Sequence, residues 1–156
     1  MLTIVPTMRD ILNYALDKLD PAPSRAHLLN AGDDLAVYDC CDDGAVWVRL
    51  AGMRPSGSGP QSPVGQCPGG FIATLGVGAV RCVQAMQEDG DAPTPTTLTA
   101  EAEQAFADMI VLEQAIRCGV GRDARVGTVR WSPMTPEGGC GGGEWQADMI
   151  CLPCGC

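Results

Sequence analysis

Cys151-Leu-Pro-Cys154-Gly-Cys156 is the local pattern with the most capacity for chemistry in this sequence. Two thiols separated by two residues can bind zinc or cycle as a dithiol. A structural zinc site wants four ligands, usually from two such pairs. A second pair is missing, and Cys40 and Cys41 are adjacent, a poor geometry for two ligands on one ion. A redox pair is expected at a helix N-terminus, whereas this one closes the chain. The tail therefore reads as a segment with incidental thiols, and a small thiol or zinc-binding protein using Cys151, Cys154 and Cys156 stays open as the rival. There are nine cysteines, so at least one has no partner within a monomer. The N-terminus has no basic region followed by an apolar stretch, which makes reduced thiols the expectation. Cys82 and Cys118, each in an apolar context, read as small buried hydrophobes.

Other chemistry is thinner still. The sole histidine, His27, follows two prolines in a connector and reads as a surface residue. Asp33, Asp34, Asp39, Asp42, Asp43, Glu88, Asp89 and Asp91 lack the spacing of a calcium loop and read as solvated loop charge. The glycines of 138–143 suggest a phosphate cradle, but neither a lysine nor a helix follows them. The hydrolase elbow and the zinc-protease helix are also missing from the sequence. No catalytic residue, cofactor or metal is assigned, and the expectation is a non-enzyme.

The chain has 156 residues, the length of a single domain. Its formal charge is −9, with nineteen acids against ten cations, of which Lys18 is the one lysine. A nucleic-acid binder would show a basic stripe. Arg117, Arg122, Arg125 and Arg130 cluster, but among Glu113 and Asp123. The longest apolar run, near Met109–Leu112, is far short of the roughly 20 residues that span a bilayer.

The elements that must position any site follow from periodicity. Residues 1–6 read as an extended arm. Met8, Ile11, Leu12, Ala15, Leu16 and Leu19 share a helical face, with Thr7 as cap, which predicts a helix over 8–19. Residues 20–34 read as a polar connector. Residues 35–40 and 45–50 flank Asp42-Asp43-Gly44, the signal of a β-hairpin. Pro55, Pro60, Pro63 and Pro68, with glycine and serine between them, make 55–70 a long loop. Residues 71–83 form a long strand with Phe71, Ala73, Leu75, Val77 and Ala79 on one face. Gly76 and Gly78 fall on the other face, where a helix packed across them is the expectation.

A proline-bearing acidic connector leads to a second helix over 100–118, with Thr99 as cap and Glu101 and Glu103 in its first turn. Gly119 is the expected end signal. The alternating runs 125–131 and 144–152 predict a hairpin with a long irregular tip at 132–144. The class is α+β: an antiparallel sheet of four to five strands, two amphipathic helices on one face, and long loops.

Several of these phrases, taken together, resemble the tail terminator, or tail-completion, proteins of long-tailed bacteriophages of actinobacterial hosts. They are the arm with helix Met8–Leu19, the phrase Leu75-Gly-Val-Gly-Ala-Val-Arg-Cys82, and the acidic connector leading into Ala107-Asp-Met-Ile-Val-Leu-Glu-Gln-Ala-Ile-Arg-Cys118. Trp131-Ser-Pro-Met-Thr-Pro-Glu-Gly-Gly-Cys-Gly-Gly-Gly-Glu-Trp145 closes the match. The resemblance implies one domain over 1–156, with 153–156 as a C-terminal tail. It implies a structural virion protein: a hexameric ring, assembled in the bacterial cytoplasm, at the head-tail junction. The ring caps the tail tube, ends its polymerisation and joins it to the neck. Its partners are its own copies, the major tail tube protein and a stopper or neck protein. DNA passes through the lumen without specific binding, and no membrane is involved. A different head-to-tail connector, the stopper, is the neighbouring alternative. Pro55, Pro60, Val64, Pro133, Pro136 and Glu137 are the expected partner contacts, and Asp89 and Asp91 the expected lumen acids.

Overall fold

The computed structural model describes residues 4–30, 43–56, 71–84, 92–120 and 124–151. Helix α1 spans Ile4–Lys18 and buries Ile4, Met8, Ile11, Leu12 and Ala15. It starts four residues before the expected 8, so Ile4–Pro6 are helical rather than an arm, and Thr7 is not a cap. Pro6 lies in the first turn, where a missing N–H leaves no intrahelical bond unmade. The helix ends ahead of Asp20-Pro21-Ala22-Pro23, and Leu19 still packs in the core.

Helix α2 spans Pro95–Gly119. Thr94 caps it, its hydroxyl accepting the Thr97 N–H at 3.2 Å. Pro95 occupies the first position, where its fixed φ suits a helix start. The expectation of Thr99 as cap is thus corrected. Thr99 lies inside the helix and donates to the Pro95 carbonyl at 2.8 Å. Glu101 and Glu103 are beyond the first turn, which contains no acid. The prolines that read as a connector are in fact the start signal.

Five strands form one mixed, open sheet: β1 (Arg25–Leu29), β2 (Ala45–Pro55), β3 (Phe71–Cys82), β4 (Ala124–Glu137) and β5 (Cys140–Cys151), in the order β1-β2-β3-β5-β4. Three of the four pairings are antiparallel, and β1 runs parallel to β2. β1 falls in the stretch expected to be connector. It also corrects the hairpin expected for 35–40 and 45–50. One edge of Ala45–Arg49 is taken by β1 and the other by β3, so no hairpin partner has a place there. Residues 35–40 themselves lie outside the described residues. Asp43 and Gly44, with φ of 66° and 85°, turn the chain into β2.

The hairpin at 124–151 is longer and tighter than expected. Its tip is the pair Gly138-Gly139, with φ of 59° and 79°. Two positive φ values are what a two-residue turn of type I′ demands, and glycine meets them without strain. Residues 132–137 and 140–144 are paired strand, not an irregular loop. Two register shifts in β4 absorb Gly127-Thr128 and Thr135-Pro136 as bulges.

Both helices cover the same sheet face. The main core joins Ile11, Ala15, Leu112 and Ile116 from the helices to Val46, Val48, Leu75, Val77, Ala147 and Met149 from the strands. The expected face Ala73, Leu75, Val77, Ala79 is buried there. Trp145 clasps α2 to β5: its indole N–H donates to the Met109 carbonyl at 2.8 Å. Trp131 tilts against Trp145 at 5.3 Å between ring centroids. Leu112→Ala deletes a fully buried side chain at this seam, and the expected loss is about 2–5 kcal/mol of stability, read by urea denaturation with an unchanged slope.

Candidate functional site

The sheet face turned away from the helices carries a polar network. Glu144 on β5 is only 4% exposed. Its carboxylate accepts from the Trp47 indole N–H at 2.9 Å, from Arg49 Nε at 2.7 Å and Nη2 at 2.6 Å, and from Gln146 Nε2 at 3.2 Å. Four donors from three residues saturate a group that can accept about four. Further along the same face, Asp148 accepts from the Thr74 hydroxyl at 2.7 Å and from Arg54 Nη2 at 3.0 Å. Burial pushes the Glu144 pKa up, but the hydrogen bonds from Arg49, Trp47 and Gln146 outweigh it, and the carboxyl ends below its ordinary range.

Gly76 and Gly78 make the room for this network. A Cβ at Gly78 would lie 2.3 Å from the Trp47 ring, and one at Gly76 would lie 2.6 Å from the Glu144 carboxyl carbon. The expectation of a helix across these glycines is corrected: the close neighbours are a tryptophan and a glutamate of the flanking strands. Sequence reasoning missed Glu144. The signal was present as an acid in an alternating run whose partner strand is side-chain-free at two alternate positions.

A second feature is a cavity of about 580 Å³ between α2 and the sheet, lined by Leu98, Ala105, Leu112, Trp131 and Met134 among others. At its floor Arg81 donates to Asp108 through Nε at 2.5 Å and Nη2 at 2.9 Å. Gln104 donates to the same carboxylate at 2.9 Å. Both ion-pair partners are largely buried. Asp108 was also missed, although it interrupts the apolar stripe of α2. The pair is satisfied internally; the lining also includes Cys82 and Thr97 but no histidine to activate either. The network and the cavity can position side chains and exclude water. Among the described residues no group of three His, Cys, Asp or Glu side chains could hold a metal ion.

The expected site residues scatter. Pro55 ends β2 and is exposed. Pro133 and Pro136 are exposed on β4, and Pro136 lines the cavity. The Glu137 backbone pairs with Cys140 beside the turn. Pro60, Val64, Asp89 and Asp91 lie outside the described residues, as do Asp33, Asp34, Asp39, Asp42, Glu88, Cys154 and Cys156. Among the described residues, Pro133, Pro136 and Glu137 share one strand and Pro55 lies apart from them on β2. His27 is exposed on β1. Cys82 and Cys118 form no disulfide and are exposed, not buried as expected, and Cys140 is disulfide-bonded, so reduced thiols do not describe the whole set. Each sits at the end of its element, Cys82 closing β3 and Cys118 one residue before the end of α2. No helix among the described residues is long and apolar enough to cross a membrane.

Comparison with protein-family models and with curated proteins gives no match for this chain.

Glu144→Gln leaves the shape intact but takes the counter-charge from Arg49. The expected cost is about 3 kcal/mol at neutral pH. Because the folded pKa is lowered, the wild-type advantage is complete above the ordinary glutamate value of about 4.3 and is lost as pH falls through the folded value. Chemical denaturation of both proteins from pH 7 down to pH 3 reads this as a shrinking difference. A difference that stays constant would mean the charge contributes nothing.

Proposed function

We propose that this chain is a structural subunit that assembles with copies of itself into a ring of the tail-terminator kind. The ring caps the head-proximal end of a phage tail tube and joins it to the neck. One observation carries the reading: Val5 on α1, Met53 on β2, and Phe106 and Ile110 on α2 are each half or more exposed to solvent. Large apolar side chains left in water in several places suit a protein buried in an assembly. Polar groups at the two interior features are paired with one another, which suits a scaffold.

The acid excess fits the same reading. DNA moving through a bore lined by carboxylates is repelled and does not stick. The sheet is open, with β1 and β4 at its edges. Prolines and bulges on β4 guard that edge against indiscriminate strand pairing. Subunit contacts are therefore expected through side-chain surfaces.

A nonsense mutation in the gene tests the proposal. The expected outcome is tail tubes that run past their normal length and filled heads that remain tailless, seen by negative stain. Antibody bound to wild-type virions is expected at the junction of capsid and tail. Tails of normal length beside unjoined heads would instead identify a stopper. Label at the distal tip, or no label on virions, would overturn both.

A further inference from the structure

Two unsatisfied surfaces lie on opposite sides of the domain and match in charge. The first is on the outer sheet face. Directly paired residues share a face of a sheet. Arg125 pairs with Ile150 and Arg130 with Gln146, which places both arginines on the side of Glu144 and Asp148. On the β2 side of that face, Arg49 and Arg54 are neutralised by these two acids. On the β4 side, Arg125 and Arg130 are exposed and make no ion pair among the described residues. Ile150, 38% exposed, stands beside Arg125. A protein of charge −9 thus shows two unpaired cations on this face, with Ile150 beside one of them and Asp148, held by Arg54, between their rows.

The second surface is the far side of α2. That helix meets the sheet through Asp108, Leu112, Ala115 and Ile116. Phe106 and Ile110, 61% and 54% exposed, sit roughly 130–180° around the helix from that buried line. Glu103, exposed and without an ion pair among the described residues, precedes Phe106 by three residues, and Glu113 follows Ile110 by three. Spacings of three and four place these side chains on one ridge. The ridge is apolar with acidic flanks. Arg117 reaches Glu113 and leaves Glu103 free.

We infer that the Glu103–Phe106–Ile110 ridge of one copy docks on the Arg125–Ile150–Arg130 patch of the next. Charge complementarity selects a second copy as the occupant, since copies of this acidic chain repel each other unless cations meet acids locally. The two surfaces differ and face opposite ways, so the contact is head-to-tail. Such contacts form a ring when the rotation closes. Closure into a ring rests on the function proposed above; the pairing of surfaces does not.

Sedimentation of the purified full chain tests it. Wild type is expected to self-associate, and to do so less in 1 M salt, where screening is strong. Arg125→Glu/Arg130→Glu and Glu103→Arg/Phe106→Ser each put like charges together. Each is expected to weaken association about a hundredfold, with circular dichroism and melting temperature unchanged. All four positions are exposed, and Ile110→Ser is the reserve should the Phe106 variant misfold. Mixing the two double variants gives the decisive reading. Each retains one intact surface, and the two altered surfaces are opposite in charge, so the mixture is expected to associate well beyond either variant alone. Monomeric wild type, variants that associate like wild type, or a mixture that associates no better than either variant alone would each overturn the inference. If wild type associates but the variants do too, the surfaces are wrong and the ring reading survives. If the surfaces hold but virions lack the protein at the junction, the terminator reading falls alone.

Discussion

A carboxylate enclosed by four N–H donors on a sheet face sets the terms for the strands around it. Glu144 can be buried as an ion only because Trp47, Arg49 and Gln146 converge on it. They converge only because β3, between β2 and β5, has no side chain at positions 76 and 78. Register therefore matters more here than for a purely apolar pairing. Sliding β5 by one residue against β3 would send Glu144 to the helix side and leave Arg49 unmatched. The network adds specificity on the side of the sheet where a hydrophobic core is too small to supply it. Among the described residues the second apolar cluster buries Ala45, Trp47, Val80 and Cys140, with Leu29 and Met134 packed against them.

The opposite face works by different means. There the helices bury Leu, Ile and Val against β2, β3 and β5, and tryptophans on β4 and β5 fasten α2 by one indole hydrogen bond. Packing is uneven along α2. All its buried residues lie from Asp108 onward, and the first half stands off the sheet over the Arg81–Asp108 pair. That half is held by polar bonds instead: Glu101 accepts the Gln84 N–H, and Gln104 donates to the Asp20 carbonyl. The two faces together give a slab that is tightly keyed in its centre and open at its outer surfaces.

How much of this was legible in the residues depends on the scale of the signal. The α2 stripe, the alternation in 71–83 and the paired runs near 125–131 and 144–151 spoke plainly, and those elements formed. Pro6 and Pro95 misled because proline breaks a helix interior yet suits its first turn. β1 was hidden because five residues with a mostly exposed pattern look like connector, and pairing with a strand twenty residues later leaves no local trace. Gly138-Gly139 was read with its glycine neighbours as a loose tip, although two adjacent positive-φ positions suffice for a sharp one. The ion pairs Arg49–Glu144 and Arg81–Asp108 join residues 95 and 27 apart. No spacing rule reaches that far without a topology to fold it.

The placement of β5 has a bearing on biosynthesis. The last of the described strands in chain order is not at the margin but inserted between β3 and β4. Until the ribosome has delivered it, β3 keeps a bare rim of twelve residues and Arg49 has no counter-ion. A nascent chain of this design is thus vulnerable through most of its synthesis and gains its cooperative structure in one late event.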